Sequence, residues 1–291
     1  MDVSVIIVNY NTRKMLAECL DSLYKYTTGV QFEVIVVDNA SVDGSKEYIN
    51  DKFQQVMWID SDINLGFGRA NNFGAVRASG KYLFLLNSDT LLLNNAVKLF
   101  YDYAETHTCE RIGVLGCWLL DRNLRSNTSF GRFPSPCNEF RYLIGRLFRC
   151  AKDYSNHPDE YNVDFVVGAD MFVSRDIFLE FGGFDKNIFM YYEETDLQLR
   201  MAREGYLRRI IDGPCIMHFD GGSFGNLGLT FNRFIMSQHS YNYYICKHYS
   251  GIKFVLFYLS LCLIRVSVLF NRWSVRERVE AYKTVLLLKK D

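Results

Sequence analysis

The sequence predicts an α/β fold: a Rossmann-like, mainly parallel sheet flanked by helices, with a helical C-terminal extension. Three observations carry this expectation. Short, nearly unbroken apolar runs rich in β-branched residues recur in the first half of the chain, as in strands covered on both faces. Segments with apolar residues at helical spacing alternate with them, which implies right-handed crossovers and parallel neighbours. Beyond about residue 226 the pattern changes to apolar and basic sequence without strand character.

The elements follow in order. Val3 to Val8 reads as the first strand, and Lys14 to Tyr26 as a helix with Leu16, Cys19, Leu20 and Leu23 on one face. Phe32 to Val37 is a second buried strand, followed by a helix over Asp43 to Phe53. A third helix is expected from Arg69 to Ser79, ending at Gly80, a common helix stop. Lys81 to Leu86 is another strand and Asn94 to Ala104 another helix. Residues 121–161 hold Pro134, Pro136 and Pro158 and read as irregular, except for an amphipathic helix expected over Asn138 to Arg149. A second ordered block runs from Val163 to His218 and contains a helix over Glu193 to Glu204. These readings divide the chain into a catalytic domain, 1–225, and a C-terminal extension, 226–291.

With 291 residues, 49% of them hydrophobic, the chain is long enough for one large domain with an appendage and too apolar to be disordered. The formal charge of zero hides an asymmetry. From Cys246 onward nine Lys or Arg stand against three acids, so the tail carries +6 and the remainder −6. A basic tail on an acidic body suits an anionic surface that meets the tail only, and argues against nucleic acid as a partner. Phe254 to Phe270 is strongly apolar but contains Arg265. It is expected to lie on or dip into a membrane, or to pack on the catalytic domain. A true span ranks third, because seventeen residues is short and a charge at its centre is costly. The eight cysteines include no Cys-x-x-Cys pair, so a structural zinc site is not expected. Met1-Asp2 runs straight into a strand pattern, which reads as a chain without a secretory signal. Reduced thiols in the cytoplasm follow as the simplest expectation.

In parallel α/β sheets, ligands gather at the carboxyl ends of the strands. After the first strand come Asn9, Tyr10 and Asn11; after the second, Asp38, Asn39, Ala40 and Ser41; after the strand at 81–86, Asn87, Ser88 and Asp89. Polar chemistry is therefore expected on one rim. No Gly-x-Gly-x-x-Gly turn follows the first strand and no Gly-Lys-Ser/Thr loop occurs. A diphosphate bound here needs another counter-charge, and Mg²⁺ or Mn²⁺ held by Asp89 supplies one, since hard cations take carboxylate and phosphate oxygens.

The runs Val3-Ser-Val-Ile-Ile-Val-Asn-Tyr-Asn11, Val36-Val-Asp-Asn-Ala-Ser41, Asn64-Leu-Gly-Phe-Gly-Arg-Ala-Asn-Asn-Phe-Gly74 and Leu86-Asn-Ser-Asp89 resemble the inverting family-2 glycosyltransferases, above all their rhamnosyltransferase-like branch. Gly168-Ala-Asp170, Gly182-Gly-Phe-Asp185, Glu193-Glu-Thr-Asp196 and His218-Phe-Asp-Gly-Gly-Ser223 extend the resemblance across residues 3–224. It implies a GT-A fold, a nucleotide-diphosphate sugar donor and a glycan or lipid-linked glycan acceptor, with the enzyme in the cytoplasm or peripheral at the inner face of the membrane. It implies that Asp38 contacts the nucleobase or ribose, with Asn9 and Asn11 in the same pocket. Asp89 matches the last position of the family's Asp-x-Asp motif and would hold the metal, with Asn87 in place of the first acid and Ser88 between them. His218 matches a histidine that completes the metal or diphosphate site in relatives; the bland alternative is a loop hydrogen bond. Glu194 stands where the family usually has an aspartate base. Asp196 is the fallback base and Glu193 a residue that orients the acceptor, although acids in a first helical turn also complement the helix dipole. Asn64, Gly66 and Arg69 either wall the diphosphate or serve as turn and cap. Gly168, Ala169, Asp170 and Asp185 fall in the acceptor region. Two alternatives to a working transferase stand beside this reading: a catalytically silent nucleotide-sugar-binding partner, and another metal-dependent transferase that uses nucleotides.

Overall fold

The structure is a computed structural model that describes residues 1–138, 160–219 and 230–287. Its first half alternates as the sequence predicts: β1 (Val3–Asn9), α1 (Arg13–Tyr26), β2 (Phe32–Asp38), α2 (Ser45–Lys52), β3 (Met57–Asp60), α3 (Phe67–Ala75), β4 (Tyr82–Asn87), β5 (Thr90–Leu92), α4 (Ala96–Thr106) and β6 (Ile112–Cys117). Then come the short strands β7 (Phe130–Gly131), β8 (Glu160–Asn162) and β9 (Phe165–Val166), followed by β10 (Asp170–Ser174), α5 (Arg175–Glu180), α6 (Glu193–Arg203), β11 (Leu207–Ile211) and β12 (Ile216–His218). Among the described residues three helices follow: α7 (Phe231–His248), α8 (Gly251–Ile264), which continues as a 3₁₀ segment over Arg265–Phe270, and α9 (Val275–Leu286).

Eight strands form the main sheet, in the order β3-β2-β1-β4-β10-β6-β11-β8. The three strands whose ends carry the polar clusters are therefore neighbours, and Asn9 sits directly beside Asp38 in the β1–β2 register. The expectation of a mainly parallel sheet holds for β3, β2, β1 and β4 and for the β6–β11 pair. It fails at β10, which runs antiparallel to both β4 and β6, and at β8 against β11. β10 inserts from far along the chain, and no local periodicity reports such a pairing.

Unbroken apolar strands arise because both faces are covered. On one face Val3, Val5, Ile7, Val34, Val36 and Phe84 pack under Leu16, Leu20 and Leu23 of α1, Ile49 of α2 and Phe100 of α4. On the other, Ile6, Ile35, Val37, Leu83 and Leu85 pack under Ala70 of α3, Phe178 of α5 and Leu197 and Met201 of α6. Burial of alternate residues on opposite faces is the period-2 geometry of a strand. α3 lies close on the sheet because Gly74 has no side chain; a Cβ there would stand 2.7 Å from Ile6 Cγ2.

α3 starts two residues earlier than predicted and ends four residues earlier, at Ala75. The segment after it turns so that Ser79 donates its backbone N–H to Glu33 at 2.7 Å. A third apolar cluster joins α7, α8 and α9 through Tyr241, Tyr244, Phe257, Leu261 and Val285, with Tyr192 and Leu199 of the catalytic-domain side packed against it. Beyond Asn138 the predicted helix over 138–149, and the domain boundary at 225, lie outside the described residues.

Candidate active site

A cavity of about 540 Å³ opens where the ends of β1, β4 and β12 meet α6 and α7. The sequence-predicted Asn64, Asn87, Ser88, Asp89, Gly168, Ala169, Glu193, Glu194 and His218 all line it. Asn87 ends β4, Ser88 and Asp89 form the turn to β5, and His218 ends β12, which pairs antiparallel to β5 with His218 opposite Thr90. That pairing brings His218 Nε2 to 3.4 Å from both Asp89 Oδ1 and Asn87 Nδ2. Asp89 is buried, and the buried Asn87 Oδ1 has no hydrogen-bond partner among the described residues.

Glu193 and Glu194 open α6 after two consecutive residues with left-handed backbone, Tyr191 (φ 67°) and Tyr192 (φ 69°). Non-glycine residues rarely adopt this conformation, and a pair of them is costly unless the surroundings fix it. Here Tyr192 packs on Tyr241 with ring centroids 4.9 Å apart, and Phe189 O accepts from Phe67 N at 3.0 Å. Burial pushes the Glu194 carboxyl up to about 7. Burial, together with the neighbouring Glu194, pushes Glu193 well above the usual range. Glu193 Oε2 is buried without a partner among the described residues.

Other predicted residues serve as scaffold rather than lining the cavity. Asn9 is fully buried, donates to Asp38 Oδ1 at 2.6 Å and accepts from Thr12 Oγ1 at 2.7 Å. Asp38 Oδ2 accepts from Ser41 N, and Asn11 Oδ1 from Val42 N, so these three side chains fold the β1 and β2 ends together. At this edge Tyr10 and Asn39 line the cavity instead. Asn64 accepts from Gly66 N at 2.9 Å, a turn contact made by a residue that also lines the cavity. Gly66 (φ 79°) is a packing position, since a Cβ would stand 2.0 Å from Phe189 O. Arg69 donates to Leu65 O within its own turn.

The predicted fallback base, Asp196, points away from the cavity. It is fully buried, 2.7 Å from both His248 Nε2 and Lys247 Nζ and 3.0 Å from Arg200 Nε. Burial alone would raise its carboxyl, but His248, Lys247 and Arg200 outweigh burial and hold it at about 2. A carboxylate so weakly basic and so enclosed is unsuited to proton abstraction. Asp185 is likewise tied to Lys247 at 2.6 Å and Tyr243 at 3.0 Å. Asp170 is buried beneath the cavity floor, accepting from Cys117 N at 2.8 Å, and burial pushes it up to about 6.

Sequence reading missed the wall built by Phe67, Phe189, Met190, Tyr191, Asn232, Arg233 and Met236. The last three belong to α7, so the extension contributes to the cavity. Asparagine and arginine in the first turn of a helix that follows the His218 motif were the available signal.

The sequence profile described as Glycosyl transferase family 2 matches residues 4–181. The chain belongs to this family. It is 28% identical over 216 residues to the low-salt glycan biosynthesis hexosyltransferase Agl10 of Haloferax volcanii, covering 70% of this chain and 62% of that one. It is 24% identical over 239 residues to the N-acetylglucosaminyl-diphospho-decaprenol L-rhamnosyltransferase of Mycobacterium tuberculosis, covering 76% of this chain and 77% of that one. The mannosyltransferase PcManGT of Pyrobaculum calidifontis, solved with GDP-Man and Mn²⁺, superposes with a TM-score of 0.58 at 17% identity, over 99% of this family-2 chain and 81% of its own. The fold is GT-A.

Proposed function

We propose that this family-2 glycosyltransferase moves a sugar from a nucleotide-diphosphate sugar to an acceptor hydroxyl with inversion, in the synthesis of a cell-surface glycan. The observation that carries the reading is a single cavity that holds Asp89 and His218 together with Glu194, whose carboxyl is pushed up to about 7 by burial. A general base works best when its pKa lies near the operating pH. Glu194 takes the proton of the acceptor hydroxyl as its oxygen bonds to the anomeric carbon. The bond from that carbon to the donor phosphate breaks, and the nucleoside diphosphate leaves with the electron pair. One displacement inverts the anomeric configuration, and no covalent sugar–enzyme intermediate forms.

The residues fit a hard cation. Asp89 offers a carboxylate, His218 a ring nitrogen 3.4 Å away, and Asn87 a buried amide oxygen without a partner among the described residues. Among those residues no three His, Cys, Asp or Glu side chains gather, so donor phosphates and water would supply the other ligands, as Mg²⁺ and Mn²⁺ favour. When bound, Mg²⁺ or Mn²⁺ would neutralise charge developing on the leaving diphosphate. Glu193, buried beside the base, orients the acceptor.

The C-terminal helices support a peripheral position at the cytoplasmic face of a membrane. In the apolar stretch Gly251–Phe270 only Phe257, Leu261 and Val268 are buried, and Ile252, Leu256, Leu259 and Leu263 of α8 form one exposed face. Lys253 near its start and Arg272 and Arg276 beyond its end are exposed, which suits a bilayer bearing anionic lipids.

The test of the catalytic reading is product analysis with the full chain, Mn²⁺ and a panel of nucleotide-diphosphate sugars. Release of a nucleoside diphosphate supports sugar transfer. Release of pyrophosphate means nucleotidyl transfer, and donor binding without release means a silent binding protein; either outcome overturns the reading.

A further inference from the structure

The cavity's charge is unbalanced for the ligand just proposed. Asp89, Glu193 and Glu194 bring three carboxyl groups and no positive charge to its wall, and a nucleoside diphosphate brings negative charge. Among the described lining residues, Arg233 is the one Lys or Arg. It lies in the first turn of the 18-residue helix α7, the end where backbone N–H groups and the helix dipole favour anions. Its backbone N–H is capped by Thr230 Oγ1 at 3.3 Å, which fixes the start of the helix. Its Nε donates to Tyr191 Oη at 3.2 Å, which holds the guanidinium on the wall that leads into Glu193 and Glu194. Asn232 lines the cavity next to it.

From this arrangement we infer that Arg233, aimed by Tyr191 and assisted by Asn232, forms a phosphate-oxyanion subsite of the cavity. The inference rests on the transferase reading above. A planar guanidinium held in place recognises phosphate oxygens in pairs, which a lysine ammonium cannot do. Two ligands carry that chemistry: the diphosphate of the donor and the phosphate of a lipid-linked acceptor. The donor is favoured, because Asn64, Ser88 and Asp89 line the same cavity.

The test measures binding to the full-length protein by calorimetry, with Mn²⁺ present. The probes are UDP, GDP and dTDP, the matching nucleosides, and farnesyl diphosphate as the lipid probe. For Arg233→Gln, the nucleoside diphosphate that binds the wild type should weaken 10- to 100-fold while its nucleoside changes less than threefold. Arg233→Lys should recover only part of the loss, and Tyr191→Phe should weaken binding several-fold. Loss confined to farnesyl diphosphate supports the subsite and assigns it to the acceptor. Unchanged affinity for both diphosphates in a folded Arg233→Gln protein overturns the subsite and leaves the transferase reading standing. If the wild type binds no diphosphate at all, both fall together.

Discussion

Asp196 of α6 and His248 at the end of α7 meet at 2.7 Å inside the protein, 52 residues apart in sequence. The contact fastens the helix that bears the candidate base to the C-terminal helices, and the cations Lys247 and Arg200 flank the same buried carboxylate. Removing one partner from a buried ionic cluster leaves the others uncompensated and costs about 3 kcal/mol. Asp196→Asn should therefore lower the unfolding temperature by roughly 6–12 °C for a chain of this size. Because the folded carboxyl is held near 2, below its ordinary 3.8, its stabilising contribution is complete above about pH 4 and lost as pH falls from 4 through 2. Thermal unfolding at pH 7 and pH 3 tests this, with the wild-type-to-mutant gap expected to narrow at the lower pH. An equal gap at both removes the ionic account.

Glu194 has the opposite sign. Its folded value near 7 lies above the ordinary 4.5, so burial is tolerated below about pH 4.5 and becomes destabilising as pH rises through 7. Glu194→Gln should be more stable than wild type by about 1–2 kcal/mol at pH 8 and equal to it at pH 4.5. The same substitution should cut transfer about 10²–10⁴-fold without weakening donor binding. The wild-type rate should rise with pH through about 7 as the base form accumulates. A Glu194→Gln enzyme that retains its rate would move the base elsewhere.

Asp89→Ala should abolish the dependence of nucleoside diphosphate binding on Mn²⁺ while leaving any metal-independent binding in place. Calorimetric titrations with and without EDTA measure this. Metal dependence that survives the substitution rules out Asp89 as a ligand.

Gly66→Ala tests packing at the cavity wall. The added Cβ would clash with Phe189 O on a backbone at φ 79°, so a loss of about 2 kcal/mol or more is expected in urea unfolding. Donor binding should weaken as well, since Phe189, Met190 and Tyr191 move with that contact.

For the exposed face of α8, the double substitution Leu256→Glu and Leu259→Glu should abolish sedimentation with vesicles containing anionic phosphatidylglycerol and leave the unfolding temperature unchanged, as both side chains are solvent-exposed. Equal sedimentation of wild type and variant would show that another part of the chain meets the lipid.

Much of this was legible in the sequence because it is local. Val3–Val8, Phe32–Val37 and Lys81–Leu86 announce buried strands by composition alone, and their polar ends converge because β2, β1 and β4 are neighbours. Asn87, Ser88, Asp89, Glu193, Glu194 and His218 do meet in one cavity. What sequence could not supply is direction and distant pairing. Asn9 and Asp38 turn toward each other, leaving Tyr10 and Asn39 to line the cavity, and a strand end does not reveal which way its last side chain turns. Asp196 looks like an active-site acid until Lys247 and His248, half a hundred residues later, are seen to enclose it. β10 enters the sheet antiparallel because its partners β4 and β6 lie far upstream, beyond any local pattern.

The packing of α9 against α7 has a consequence for how the enzyme comes into being. Asn242 of α7 donates to Thr284 O of α9 at 2.7 Å, and Tyr241 and Tyr244 share a core with Val285. In a chain emerging from the ribosome the sheet, the β4–β5 turn with Asp89 and the helix α6 with Glu194 all precede α9, which supports the helix that contributes Arg233. Among the described elements, the α7 side of the cavity therefore gains its support last. A chain cut before α9 would lack these contacts behind the α7 side of the cavity.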